Sequence, residues 1–259
     1  MNQHESYIKR CFELAQLGIG NVAPNPMVGC VIVHNNQIIG EGYHRQYGEP
    51  HAEVNAIKSV KDQSLLKESI IYVSLEPCAH FGKTPPCANL IIEKEIPKVV
   101  IANRDPFSKV DGKGISKMQA AGIEVTMGIL ENEGRFINRR FFTFHEQKRA
   151  YVILKWAETA DGFLDKIRTP DSTEKPLRIS NEETSKLVHK WRAEEAAILV
   201  GRNTVSLDNP SLTTRTWPGK DPLRLVIDPQ LEVDQNSVMY TDGKPTWVFN
   251  AMKEYCEKE

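Results

Sequence analysis

The chain has 259 residues, 40% of them hydrophobic and 26% charged, a balance that supports buried cores and excludes a disordered chain. Its formal net charge is −1, so no global electrostatic attraction draws it to nucleic acid or to an anionic membrane. No apolar run approaches the roughly 20 residues that span a bilayer, and the polar N-terminus lacks the apolar stretch of a signal peptide, so a cytoplasmic protein is expected.

Taken in order, residues 4–17 place Ile8, Cys11, Phe12 and Ala15 at helical spacing, with Gly18 as the stop. Residues 28–34 and 37–42 read as strands joined by Asn35-Asn36, a hairpin. Residues 51–60 predict a helix, 70–74 a short apolar strand and 78–86 a loop marked by Gly82 and Pro85-Pro86. Pro86 suits the start of a helix over 87–94. Strands over 98–102 and 123–127 alternate with helices over 113–121 and 130–144. A hairpin followed by strand–helix alternation predicts an α/β/α sandwich of about five strands.

Near residue 146 the pattern resets in a polar stretch, His145-Glu146-Gln147-Lys148-Arg149. The expected domains are therefore 1–145 and 146–259. The second shows a strand over 151–156, a helix over 182–194 and strands over 196–200, 223–227 and 246–249. It carries few helices to cover a parallel sheet on both faces, and the expectation is that it lacks its C-terminal part. Charge runs such as Arg139-Arg140 and Glu194-Glu195 read as solvated helix faces.

Of the five cysteines (Cys11, Cys30, Cys78, Cys87 and Cys256), Cys11 and Cys30 read as small core residues. The odd number and the spacing give no disulfide framework, and a close pair in a cytosolic chain points to metal or catalysis. Cys78 and Cys87 follow His51-Ala52-Glu53. One imidazole and two thiols make a Cys₂His zinc set whose fourth position stays open to water. Both the His51 and the Cys87 anchor points fall at helix starts, where the helix dipole favours thiolate. Glu53, in the first turn after His51, can then take a proton from the water and deliver it to a leaving amine. A closed structural site with His80 as fourth ligand is the competing reading.

His-Ala-Glu followed by Pro-Cys and a second Cys resembles the zinc-dependent nucleoside and nucleobase deaminases. The common second half is Pro-Cys-x-x-Cys, but here eight residues separate Cys78 from Cys87. That loop, with Ala23-Pro24-Asn25-Pro26-Met27-Val28-Gly29, resembles the bifunctional riboflavin biosynthesis deaminase–reductases. The resemblance implies a cytidine-deaminase-like N-terminal domain. It would convert 2,5-diamino-6-(5-phosphoribosylamino)pyrimidin-4-one to 5-amino-6-(5-phosphoribosylamino)uracil, with zinc at His51, Cys78 and Cys87, Glu53 as proton shuttle, and Asn25, His44 and Lys83 on the substrate.

The second domain resembles the family's dihydrofolate-reductase-like reductase, which reduces the ribosyl group to ribityl with NADPH. The matching runs are Leu154-Lys155-Trp156-Ala157 with Asp161-Gly162, Trp191-Arg192-Ala193, and Gly201-Arg202-Asn203-Thr204-Val205 leading to Asp208-Asn209-Pro210, with Leu225-Val226-Ile227-Asp228 beyond. They imply cofactor contacts at Ala157, Thr204 and Asp208, and substrate contacts at Arg192, Leu212 and Arg215. Arg178 stands where members often carry a tryptophan on the cofactor, and is expected to stack on or pair with the NADPH 2′-phosphate. No Gly-Gly run follows residue 220; if these 259 residues were the whole polypeptide, the reductase would be expected to be inactive or badly impaired. The family further implies a homo-oligomer acting on a small phosphoribosylated pyrimidine. The alternatives are another zinc-dependent deaminase, acting on cytidine, deoxycytidylate or tRNA adenosine, and a non-catalytic zinc scaffold. A pI near 6.7 counts against the tRNA-editing enzyme, and the long Cys loop and the appended second domain count against all three deaminases.

Overall fold

A computed structural model describes residues 3–81, 85–169 and 174–254. The chain divides into two compact units, Met1–Val152 and Ile153–Glu259.

In the first unit a five-stranded sheet runs in the order β2-β1-β3-β4-β5. β1 (Gly29–His34) and β2 (Gln37–Tyr43) form the hairpin. Asn35 and Asn36 both take positive φ, 47° and 63°, the left-handed pair that a two-residue turn needs and that Asn tolerates best among non-glycines. β1 also pairs antiparallel with β3 (Ile70–Leu75), and β3, β4 (Lys98–Asn103) and β5 (Glu124–Met127) are parallel.

β1 is buried on both faces. Cys30 and Ile32 join a core under α2 (Ala52–Ser59), α3 (Cys87–Glu93) and α4 (Lys113–Ala120). Val31 and Val33 join a second core with Ile8, Cys11 and Phe12 of α1 (Gln3–Gln16). The period-2 alternation of the strand thus divides one apolar run between two helical layers. Cys11 and Cys30 are wholly buried in these cores, as small apolar residues.

The helix predicted over 130–144 is two helices, α5 (Glu131–Ile137) and α6 (Arg139–Gln147), which meet at Asn138. The buried Asn138 side chain accepts from the Met27 N–H and donates to the Met27 carbonyl, both at 2.8 Å. That contact spans 111 residues and fixes the chain beside Asn25; no local pattern announces it. Replacing Asn138 by Ala strands both buried Met27 groups and is expected to cost about 2–3 kcal/mol. The loss should appear as a lower urea midpoint at unchanged m.

The second unit holds a parallel three-stranded sheet, β6 (Ala197–Gly201), β7 (Leu223–Ile227) and β8 (Thr246–Phe249), in the order β6-β7-β8. α7 (Glu182–Glu194) is capped by Asn181, whose side chain accepts from the Thr184 N–H at 2.8 Å. α8 (Arg202–Asp208) and α9 (Val238–Thr241) were not expected from the sequence; Val205 and Met239 carry them into a core with Leu212, Val226 and Val233. Arg224 crosses that layer fully buried, bidentate to Asp242 and bonded to the carbonyls of Lys244, Met239 and Ser211. On the other face Leu199, Ile227, Trp247 and Phe249 are about half exposed. Among the described residues nothing covers them.

The strand predicted over 151–156 is not formed. The segment carries no strand assignment, and Leu154 is 77% exposed. Its β-branched and aromatic residues suit a pleated surface, but strand propensity is realised only against a partner strand, and neither sheet takes it up. Among the described residues no helix is long and apolar enough to cross a membrane.

Candidate active site

His51, Cys78 and Cys87 converge at the ends of three elements. His51 is the N-cap of α2, Cys78 follows β3 by three residues, and Cys87 is the first residue of α3. Close packing holds α2 in place: a Cβ on Gly42 of β2 would lie 2.3 Å from the Ala56 nitrogen and 2.6 Å from the Ala52 carbonyl oxygen. Asn55 adds hydrogen bonds to the carbonyls of Tyr43 (2.8 Å) and Pro50 (3.2 Å), tying the helix to the segment that delivers His51. Cys78 lies against the start of α3, where its sulfur accepts from the Cys87 N–H at 3.3 Å and its carbonyl from the Ala88 N–H at 3.1 Å.

The His51 Nδ1 is 3.6 Å from the Cys78 sulfur and 3.4 Å from that of Cys87. The three ligand atoms lie within 4.8 Å of one another. The Cys78 thiol is held well below the usual thiol range, by a hydrogen bond from Cys87 and then by His51, while Cys87 is pushed up by its contact with Cys78 and by burial. Beside the Cys78 sulfur the His51 imidazole is raised to about 9. Two sulfurs and one imidazole nitrogen at this separation suit a tetrahedral zinc ion with one position left over. His80, the residue that could have closed a structural site, is outside this group. Its Nδ1 is buried without a hydrogen-bond partner among the described residues.

Glu53 is only 3% exposed and lines the same cavity as His51 and Cys78. Burial pushes its carboxyl up to about 7, against the pull of His51. The group can therefore exist in either protonation state near neutrality, as a proton carrier requires.

Glu53, His51, Cys78, Asn25 and His44 line one cavity of about 630 Å³, with Cys87 buried behind Cys78. The His44 Nδ1 is 3.2 Å from the Pro50 carbonyl, which can only accept, so that nitrogen carries the proton. The Nε2 then accepts from the Asn25 amide at 3.2 Å. This leaves the Asn25 carbonyl oxygen for a ligand donor. Burial lowers the His44 pKa, in keeping with a neutral ring. Lys83, the third residue expected on the substrate, lies outside the described residues.

Three further residues belong to this site, and the sequence reading missed them. The buried Glu76, two residues before Cys78, accepts the N–H groups of Asp105, Gly112, Gly114 and Ile115 at 3.0–3.3 Å. It fastens the chain before Cys78 to the start of α4, where the Gly114 backbone abuts the Pro77 carbonyl so closely that a Cβ would sit 2.1 Å from it. Asp105, just beyond the carboxyl end of β4, faces the cavity; burial raises its carboxyl to about 7 although it accepts the Phe107 N–H at 2.8 Å. His145 of α6 lines the cavity beside Phe107 and Phe141. For Asp105 a signal existed, since ligands in α/β sheets gather at the carboxyl ends of strands. None existed for His145.

In the second unit Arg192, Leu212 and Arg215 are brought together. Arg192 donates to the Thr213 carbonyl and Arg215 to the Thr213 hydroxyl, both at 3.0 Å, with Leu212 buried next in the chain. The Arg215 N–H donates to His189 Nδ1 at 3.0 Å, and the Arg192 Nε is buried without a partner among the described residues. The cofactor-side residues are not assembled in this way. Asp208 is engaged by Arg168, Arg178 and Thr204 are exposed, and Ala157 lies on the segment without strand structure. Among the described residues no hydrogen bond or ion pair joins the four.

Residues 1–103 match the family described as the cytidine and deoxycytidylate deaminase zinc-binding region, and residues 150–259 match the RibD C-terminal domain. The chain is 44% identical to the riboflavin biosynthesis protein RibD of Aquifex aeolicus, over 98% of this chain and 70% of that one. With the protein of the same name from Bacillus amyloliquefaciens it shares 43% identity, over 95% of this chain and 65% of the relative. A crystal structure of a diaminohydroxyphosphoribosylaminopyrimidine deaminase/5-amino-6-(5-phosphoribosylamino)uracil reductase from Thermotoga maritima superposes with a TM-score of 0.87 at 39% identity. It covers 97% of this chain and 71% of that one.

Proposed function

The chain belongs to the RibD family of riboflavin biosynthesis deaminase–reductases, and on that premise we propose that its first unit deaminates 2,5-diamino-6-(5-phosphoribosylamino)pyrimidin-4-one. The observation that carries this reading is the group His51, Cys78 and Cys87 at the wall of a cavity that the buried Glu53 also lines. A zinc ion held by those three residues would supply an acidified water. Water adds to the amidine carbon, the exocyclic amine leaves as ammonia, and a carbonyl remains.

Each side chain has one task. Glu53 takes the proton from the attacking water and passes it to the departing amine; its rise to about 7 suits both halves of that transfer. The Asn25 carbonyl oxygen, oriented by His44, accepts from an N–H of the pyrimidine. The apolar walls exclude bulk water and strengthen each of these contacts.

For the second unit we propose the family's NADPH-dependent reduction of the ribosyl group to ribityl. Arg192 and Arg215, which meet at Thr213 beside Leu212, would hold the phosphate end, guanidinium forks being matched to phosphate oxygens. Ala157, Arg178, Thr204 and Asp208 are the positions that would face the cofactor. The reading includes a homo-oligomer in the cytoplasm whose partners are small molecules, not nucleic acid or membrane.

Ammonia release tests the deaminase reading directly. The zinc-loaded protein is expected to act on the phosphoribosylated diaminopyrimidinone and to leave cytidine, deoxycytidylate and tRNA adenosine at background. Turnover of any of those three at a comparable kcat/KM would sink it.

A further inference from the structure

The cavity contains an imidazole with no role in the chemistry described above. His145 sits near the end of α6 and makes ring contacts only, with Phe141 (4.4 Å), Phe107 (5.1 Å) and Phe144 (5.2 Å) between centroids. Phe107 in turn meets His80 edge-on at 5.9 Å. His80, Phe107, His145 and Phe141 thus form one continuous aromatic wall along the cavity. Neither ring nitrogen of His145 is engaged by hydrogen bond or ion pair among the described residues.

Position decides what this wall can touch. The reacting carbon must come to the deep end, beside Glu53 and the His51–Cys78–Cys87 group. Asn25 and His44 are there too, since the His44 ring lies 5.3 Å from that of His51. His145 belongs to the mouth: its neighbour Phe144 lines the same cavity and is 58% exposed. With the pyrimidine held at the deep end, the part of the substrate that reaches the mouth is the substituent farthest from the reacting carbon. That substituent is the ribosyl arm. Burial and Lys148 both disfavour the charged form of His145. A neutral imidazole offers one donor and one acceptor, the complement of a sugar hydroxyl and a poor match for a phosphate dianion.

We propose that His145, backed by Phe107 and Phe141, hydrogen-bonds a hydroxyl of the substrate's ribosyl group and so selects the ribosylated pyrimidine over the free base. The inference rests on the deaminase reading for its substrate. His145 is a specificity-determining residue here and takes no part in proton transfer.

The test is equilibrium binding to zinc-loaded protein carrying Glu53→Gln, in which the substrate is not consumed, with and without His145→Phe or His145→Gln. Phe keeps the aromatic wall and removes the hydrogen bond, whereas Gln keeps a donor and an acceptor. Three ligands are compared: the phosphoribosyl substrate, its dephosphorylated ribosyl form, and 2,5,6-triaminopyrimidin-4-one. His145→Phe is expected to weaken the first two by about 3- to 10-fold and leave the third unchanged, with Gln restoring part of the loss. Equal affinities with and without the imidazole overturn the proposal, as does a loss confined to the phosphorylated ligand or an absence of binding altogether. Ammonia release by the protein with Glu53 intact is scored separately. A protein that fails to deaminate yet shows this binding pattern refutes the deaminase reading and leaves the His145 contact standing. The reverse result does the opposite.

Discussion

Replacing Glu53 with Gln is expected to lower deaminase kcat by about 10³- to 10⁴-fold while zinc stays bound at one ion per chain. The side chain is nearly isosteric, so the cavity keeps its shape. It is also uncharged, and this suits the site, because burial already disfavours the Glu53 carboxylate. Folding is therefore expected to be unharmed or slightly favoured. What the amide cannot do is accept the proton of the water and hand it on. Of the cavity's other buried carboxylates, Glu76 is committed to four backbone N–H groups, and Asp105 is held by the Phe107 N–H. Neither is in the first turn after the ligand His51, where Glu53 lies. The measurements are metal content by atomic emission and ammonia release under saturating substrate. A variant that keeps both its zinc and its turnover would mean that the metal serves a scaffold and that Glu53 is a buried acid with no chemical task.

The parts of this site that a reader could find in the sequence are those whose partners are close in the chain or stereotyped in spacing. His51 and Glu53 are two residues apart at a helix start, so their joint orientation follows from the first turn alone. Cys78 and Cys87 bracket a loop that ends in Pro86, whose fixed φ starts α3 and brings the second thiol back to the first. The Asn35-Asn36 turn was legible for the same reason. Asn138 was not: residues 130–144 have helical periodicity throughout, and the break arises from a backbone 111 residues away. Glu76 gave no local signal, because its four donors come from a loop and helix start some 30–40 residues downstream. The failure at 151–156 has the opposite cause. Local composition favoured a strand, but a strand is a relation between two segments, and sequence pattern reports only one of them.

Replacing Cys87 with Ala should abolish stoichiometric zinc binding, and with it the ammonia release. The Cys87 sulfur is the donor nearest the His51 Nδ1, at 3.4 Å. Loss of that atom leaves two donors where a stable protein zinc site uses at least three. Stability should fall as well, since metal binding energy is available to the folded state alone. The melting temperature of the wild type should drop when zinc is stripped by a chelator, whereas that of Cys87→Ala should not respond to the same treatment. Cys30→Ala supplies the contrast. Its thiol is equally buried but lies outside the ligand group, in the core under α2. It should lose about 1 kcal/mol by truncation and keep both its zinc and the chelator-sensitive melting shift. His80 makes the comparison sharper, because its Nδ1, two residues from Cys78, is buried with no partner among the described residues. If Cys87→Ala still holds one zinc per chain, the third donor must be recruited from such a neighbour, and Cys87→Ala combined with His80→Ala should then lose it. A double variant that still bound zinc would remove the His51–Cys78–Cys87 assignment altogether.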